Sequence, residues 1–190
     1  MSKLQLKTLE NQWSSCTKCK ELSDYRTNVV FGVGNPNKCK VLIIGEAPGK
    51  NEDIKKEPFV GRSGKVLNEF LESINLKREE VYITNTILCR PPQNRDPKKD
   101  ELKNCRPRLE EQIRILKPKV IITLGNFATK YMLETKEGIT KIRGKVYEKL
   151  NTKIVPMQHP AVLLYNGNSP KKRAEFQEDF NKVKEIIKWK

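Results

Sequence analysis

The chain has 190 residues, enough to bury a substantial core, and one domain spanning residues 1–190 is expected. Its 38 Lys plus Arg against 23 Asp plus Glu give a formal net charge of +15, which points to a polyanion, nucleic acid first, more readily than to an acidic small molecule. No apolar run approaches the roughly 20 residues of a membrane span, and no apolar region follows residues 1–7 as it would in a signal peptide, so a cytoplasmic protein without a membrane partner is expected. The competing reading of the charge is a Lys-rich solvated surface of the kind that thermophiles network. Arg and Lys clustered among turn residues favour nucleic acid.

In chain order, the first chemical feature is Cys16-x-x-Cys19. This spacing lets two thiolates of one turn reach a common centre, and Cys89 and Cys105 return far downstream in what read as loops rich in Pro and Arg. Such a centre would staple distant parts of the chain. The spacing is compatible with structural zinc, with an iron–sulfur cluster or with unrelated buried thiols. A reducing compartment disfavours disulfides among the five cysteines. Cys39, just before an apolar run, is expected to pack in the core.

Three β-branched runs follow, Val41 to Ile44, Val81 to Ile83 and Val120 to Leu124, each short enough to be a strand buried on both faces. Ile154-Val155 suggests a fourth, with Gly144 to Lys149 as a short hairpin arm beside it. Between and after them, apolar residues recur at helical spacing: Val66, Leu67, Phe70, Leu71 and Ile74, then Leu102, Leu109, Ile113 and Leu116, then Phe176, Phe180, Val183 and Ile187. The pattern predicts an α/β fold with three layers, α/β/α, around a central, mainly parallel four-stranded sheet. Ligands of such sheets gather beyond the carboxyl ends of the strands. There the sequence places Gly45-Glu46-Ala47-Pro48-Gly49 with Glu52-Asp53, then Pro58 to Gly64, Asn85, Gly125-Asn126, and His159-Pro160-Ala161 with the only histidine.

Together these segments resemble the uracil-DNA glycosylase superfamily, and most closely its family 4, the thermostable enzymes that carry a [4Fe-4S] cluster. The resemblance rests on Cys16-x-x-Cys19, Gly45 to Gly49 with Glu52-Asp53, Pro58 to Gly64, Thr84-Asn85 leading to Cys89-Arg90-Pro91-Pro92, Asn94-Arg95, Cys105 and His159-Pro160-Ala161, in the family's order. It implies removal of uracil from DNA by hydrolysis of the N-glycosidic bond, with free uracil as product, and one structural [4Fe-4S] cluster held by Cys16, Cys19, Cys89 and Cys105. It also implies that His159 and the backbone of the Glu46-Ala47 turn donate to the charge developing on uracil O2, that Asn85 reads the base edge, that Phe59 stacks on the base, and that Glu52 closes the pocket where thymine's methyl would sit. Where the best-known branch of the superfamily has a water-positioning Asp, this chain has Ala47, so leaving-group stabilisation ranks above base catalysis by Glu46. Asp53 and Glu57 are expected to serve loop structure.

For DNA binding, Arg62-Ser63-Gly64 at a helix start and the Lys171-Lys172-Arg173 cluster are candidates for phosphate contacts, and Leu163 and Leu164 for the wedge that fills the space of a flipped nucleotide. A monomer is expected. Two competing readings remain: a metal-stapled nucleic-acid-binding module of the same fold without catalysis, and a related glycosylase with broader base choice.

Overall fold

The computed structural model describes residues 2–149, 151–165 and 169–188. Six strands form one sheet: β1 (Val33–Gly34), β2 (Val41–Gly45), β3 (Val81–Asn85), β4 (Val120–Leu124), β5 (Tyr147–Lys149) and β6 (Thr152–Met157), in the order β1-β3-β2-β4-β6-β5. The inner four, β3-β2-β4-β6, are parallel, as their unbroken apolar runs predict. The sheet is therefore two strands wider than the sequence suggests. The predicted hairpin arm is β5, antiparallel to β6, and β1 adds an antiparallel edge on β3. With two residues, β1 is too short to show a period.

Among the described residues the helices are α1 (Ser2–Trp13), α2 (Lys20–Tyr25), α3 (Lys50–Lys55), α4 (Arg62–Ser73), α5 (Lys99–Leu116), α6 (Gly125–Leu133), α7 (Ile139–Ile142), α8 (Ala161–Tyr165) and α9 (Pro170–Lys188). Among the described residues no helix is long and apolar enough to cross a membrane. The side-chain alternation of a strand divides the core in two. Leu42, Ile44, Ile121 and Ile154 face a layer built by Leu6 and Leu9 of α1, Leu109 and Ile113 of α5 and Met132 of α6. Their neighbours Val41, Ile43, Ile122 and Val155 face Leu67, Phe70 and Leu71 of α4 and Phe176, Phe180 and Val183 of α9. Phe70 packs on Phe180 and Phe176 with ring centroids 5.5 and 5.4 Å apart. Cys39 packs against the first layer, as expected, and burial pushes its thiol up to about 12.

Parallel register brings strand ends to a common level. Gly45 pairs with Asn85 across β2 and β3, and Leu124 with Met157 across β4 and β6. The chain passes from β2 to β3 on one side, then returns across β2 to β4 on the other. The crevice at that reversal is where an open α/β sheet leaves room for a ligand.

Candidate active site

A cavity of about 560 Å³ opens at this end of the sheet, within the size range of small-molecule sites. Glu46, Ala47, Glu52, Phe59, Ser63, Asn85 and His159 line it, all of them anticipated from sequence, together with Pro91, Asn94, Arg95, Asp96 and Tyr165. They arrive from the ends of β2, β3 and β6, from α3 and the loop that joins it to α4, from the start of α4, from α8 and from the segment between Cys89 and α5.

Asn85 is the last residue of β3 and is 2 % exposed. Among the described residues its side-chain amide has no hydrogen-bond partner, so both its donor and its acceptor are available to a ring in the cavity. Its neighbour on β2 must be glycine. A Cβ at Gly45 would stand 2.4 Å from Asn85 Oδ1 and 2.7 Å from the Phe59 ring. Strand alignment thus puts the smallest residue of one strand against the buried amide of the next.

Phe59 adopts the left-handed backbone conformation, φ 55°, at a cost of about 1–2 kcal/mol for a side chain of this kind. Surrounding contacts hold it there. Glu52 Oε1 accepts from the N–H groups of Val60 at 3.1 Å and Gly61 at 2.9 Å. Gly64, in the first turn of α4, lies so close that a Cβ would meet the Phe59 carbonyl oxygen at 1.7 Å. The strained turn aims the ring at the cavity and seats it against His159, with centroids 5.7 Å apart and planes tilted by 31°. Glu52 is therefore first a loop-holding carboxylate. Asp53 plays the same part, accepting from the N–H groups of Thr27 and Asn28, and Glu57 pairs with Arg78.

His159 follows β6. Its Nδ1 accepts from the Ala161 N–H at 3.2 Å, which leaves Nε2 carrying the ring hydrogen as a donor. Burial lowers its pKa to about 4, and the nearby Glu52 carboxylate opposes that only partly. The imidazole is therefore neutral at physiological pH. For stability the sign follows from the unfolded chain, which takes up the proton first: this contribution is full above 6.5 and is lost as the pH falls toward 4.

The Glu46 carbonyl is pinned from β3's far end by the Thr86 hydroxyl at 2.5 Å and the Ile87 N–H at 3.3 Å. Its carboxyl is pushed up to about 7, first by burial and then by the charge of Asp96. A rate that needed the Glu46 carboxylate would climb through pH 7. We expect instead that Glu46→Gln costs less than about tenfold in single-turnover rate and leaves the profile between about pH 6 and 8 nearly unchanged. A large loss together with a missing limb near pH 7 would make Glu46 the water-activating base.

The proposed DNA-contact residues divide. Arg62, exposed, and Ser63, half-buried, sit at the start of α4, whereas buried Gly64 serves close packing. Leu163 is 1 % exposed and packs in the core, so it is not available as a wedge. In the five-residue helix α8 it turns inward while Leu164 and Tyr165 turn out, 36 % and 83 % exposed. Tyr165 was missed because neither its residue type nor its spacing separates it from a packed aromatic. Nor are Lys171, Lys172 and Arg173 three uncompensated cations. Lys172 pairs with Glu175 at 2.8 Å, and Arg173 pairs with Glu69 at 2.9 Å and lies over the Phe70 ring.

Cys89 shortly precedes the wall formed by Pro91 to Asp96, and Cys105 stands within α5, not in a loop as the sequence suggests. Cys16, Cys19, Cys89 and Cys105 line one narrow internal cavity with Trp13, Leu22, Arg26 and Asn104. Arg26 Nη1 donates to Cys89 Sγ at 2.9 Å while its Nη2 donates to the Cys16 carbonyl at 2.7 Å, and Asn104 Nδ2 donates to Cys19 Sγ at 3.4 Å. Burial pushes the thiols of Cys19 and Cys89 up, Cys89 to about 11, against the pull of these donors. Among the described residues no three of His, Cys, Asp and Glu converge tightly enough to hold one metal ion. Four thiols on one cavity make a soft donor set.

A buried amide, a strained aromatic and a neutral imidazole donor on one cavity, in a strongly cationic chain, define a protein that takes a single planar polar ring from a polyanion. Residues 31–184 match the Uracil DNA glycosylase superfamily, and the chain belongs to it. It is 44 % identical to the Type-4 uracil-DNA glycosylase of Sulfurisphaera tokodaii over 95 % of this chain and 84 % of that protein. It is also 44 % identical to the Type-4 uracil-DNA glycosylases of Archaeoglobus fulgidus, over 90 % of this chain and 88 % of that one, and of Saccharolobus solfataricus, over 96 % and 86 %.

Proposed function

We infer that the protein is a Type-4 uracil-DNA glycosylase: it hydrolyses the N-glycosidic bond of deoxyuridine in DNA, releases free uracil and leaves an abasic site for base excision repair. The observation that carries this reading is the meeting of Asn85, Phe59 and His159 on one cavity, because a module that only bound nucleic acid would have no use for a pocket that reads a base edge.

Cleavage leaves an oxocarbenium-like sugar and a uracil anion whose charge gathers on O2. An N–H donor aimed at O2 stabilises that charge by a hydrogen bond, and the Nε2–H of the neutral His159 fits that part. Asn85 fits uracil by accepting from N3–H and donating to O4. Cytosine presents the reverse pattern. Phe59 stacks on the ring, and Glu52, by holding its turn, closes the side where thymine carries a methyl group. With Ala47 at the turn, the electrophilic sugar captures a weakly activated water.

On the DNA side, Arg62 and Ser63 bind phosphate at the start of α4, and Leu164 with Tyr165 fills the gap left by the flipped nucleotide. Cys16, Cys19, Cys89 and Cys105 hold a structural [4Fe-4S] cluster that braces the pocket wall from Pro91 to Asp96. The protein acts as a one-domain monomer in the cytoplasm. Networks such as Glu21 with Arg95 and Lys98, and Arg95 with Glu101, suit a thermophile.

The activity is tested by incubating the protein with a uracil-containing oligonucleotide, treating with alkali and sizing the strand: scission at uracil is expected, and an intact strand would overturn the reading. Substrates carrying other bases test breadth. Independently, the purified protein should be brown, with broad absorbance near roughly 400 nm and about four irons per chain. A colourless preparation with stoichiometric zinc would overturn the cluster and leave the glycosylase assignment standing.

A further inference from the structure

Arg108, on α5, is fully buried, and sequence gives no hint of its task. Its Nη1 donates to Thr84 Oγ1 at 3.1 Å and Gln112 Oε1 at 2.7 Å, and its Nη2 to the carbonyls of Asn85 at 2.9 Å and Thr86 at 3.0 Å. All four acceptors are neutral. Nε is buried with no hydrogen-bond partner among the described residues. A guanidinium taken out of water needs a counter-charge, and none of its hydrogen bonds supplies one.

One helical turn earlier stands Cys105, also buried and lining the cysteine cavity. A thiol cannot neutralise a cation, whereas a thiolate bound to metal can. Four thiolates around a cubane core leave a net charge of about −2.

We propose that Arg108 is a positioning residue that joins the two centres: the anionic cluster, through Cys105, neutralises its buried charge, while its guanidinium fork fixes the backbone of Thr84 to Thr86 and so holds the base-reading Asn85 in place. This rests on the reading of the four cysteines as ligands of one cluster. It explains why a structural centre stands behind the reading strand: loss of the cluster strands a buried cation against the end of β3.

The test uses full-length wild type, Arg108→Met and Arg108→Lys, purified without oxygen. Iron content and visible absorbance of the wild type come first. A wild type without iron ends the cluster reading, and this inference with it, before any substitution is compared. With the cluster present, the readouts are its reduction potential and the single-turnover rate on uracil at saturating enzyme. Arg108→Met should keep its iron, shift the potential to more negative values because the added electron loses a neighbouring cation, and slow uracil release by about tenfold or more. Arg108→Lys should stay near the wild-type potential yet lose rate, because one ammonium cannot hold four acceptors in a fork. A wild-type potential in iron-loaded Arg108→Met would overturn the link to the cluster. If Arg108→Met fails to fold, Arg108→Lys decides alone: wild-type potential with reduced rate supports the proposal, and wild-type rate overturns it.

Discussion

His159→Ala should slow single-turnover uracil excision on the order of 10²-fold or more, the scale of losing one donor to a developing oxyanion. The Ala161 N–H engages Nδ1, so Nε2 is the donor nitrogen, and burial keeps the ring neutral down to about pH 4. The rate should therefore be insensitive to histidine titration between about pH 6 and 8. DNA affinity should barely change, because a neutral ring adds nothing to the salt-dependent phosphate contacts. Saturating enzyme is required, so that chemistry is separated from binding and product release. If His159→Ala stays near wild type while Glu46→Gln abolishes cleavage, water activation replaces leaving-group stabilisation as the main source of rate.

The second large effect belongs to Asn85. Replacing it with Ala removes a donor and an acceptor from a nearly closed position, leaving uracil's N3–H and O4 without partners in the cavity. A loss on the order of 10²-fold on uracil is expected, since a site built to pair polar edges penalises an unpaired one heavily. Asn85→Asp should also weaken uracil excision while improving the relative handling of cytosine, because a protonated or repositioned carboxyl presents a different hydrogen-bond pattern. Matched oligonucleotides carrying uracil or cytosine at one position measure both. Full activity of Asn85→Ala on uracil would remove Asn85 from base reading. Because the Arg108 fork holds Asn85 through its main chain, the amide can be changed without disturbing that contact.

Much of this protein is local information. The inner strands were legible because short β-branched runs bounded by turn residues suit a strand buried on both faces, and α4, α5 and α9 because their apolar residues repeat at helical spacing. Of the edge strands, β5 was legible as a hairpin arm beside β6, whereas β1 is too short to carry a pattern. Within the site, the resemblance of the loop segments and their order along the chain to the uracil-DNA glycosylases singles out Glu46, Phe59, Asn85 and His159, and folding sets all four on one cavity.

Tertiary structure alone decided the rest, since orientation and partnership depend on residues far apart in sequence. It turned Leu163 into the core and Tyr165 outward, paired Lys172 and Arg173 with carboxylates, and brought Asp96 close enough to hold up the Glu46 pKa. Arg108 is the clearest case. A lone Arg on a helix reads as a solvent-facing cation, and only folding places it beneath Asn85 with Cys105 one turn away. Sequence determined which groups exist and which elements carry them; the three-dimensional packing determined which charges are buried, and burial is what converts an ordinary side chain into a neutral donor, a raised carboxyl or a cation in need of an anion.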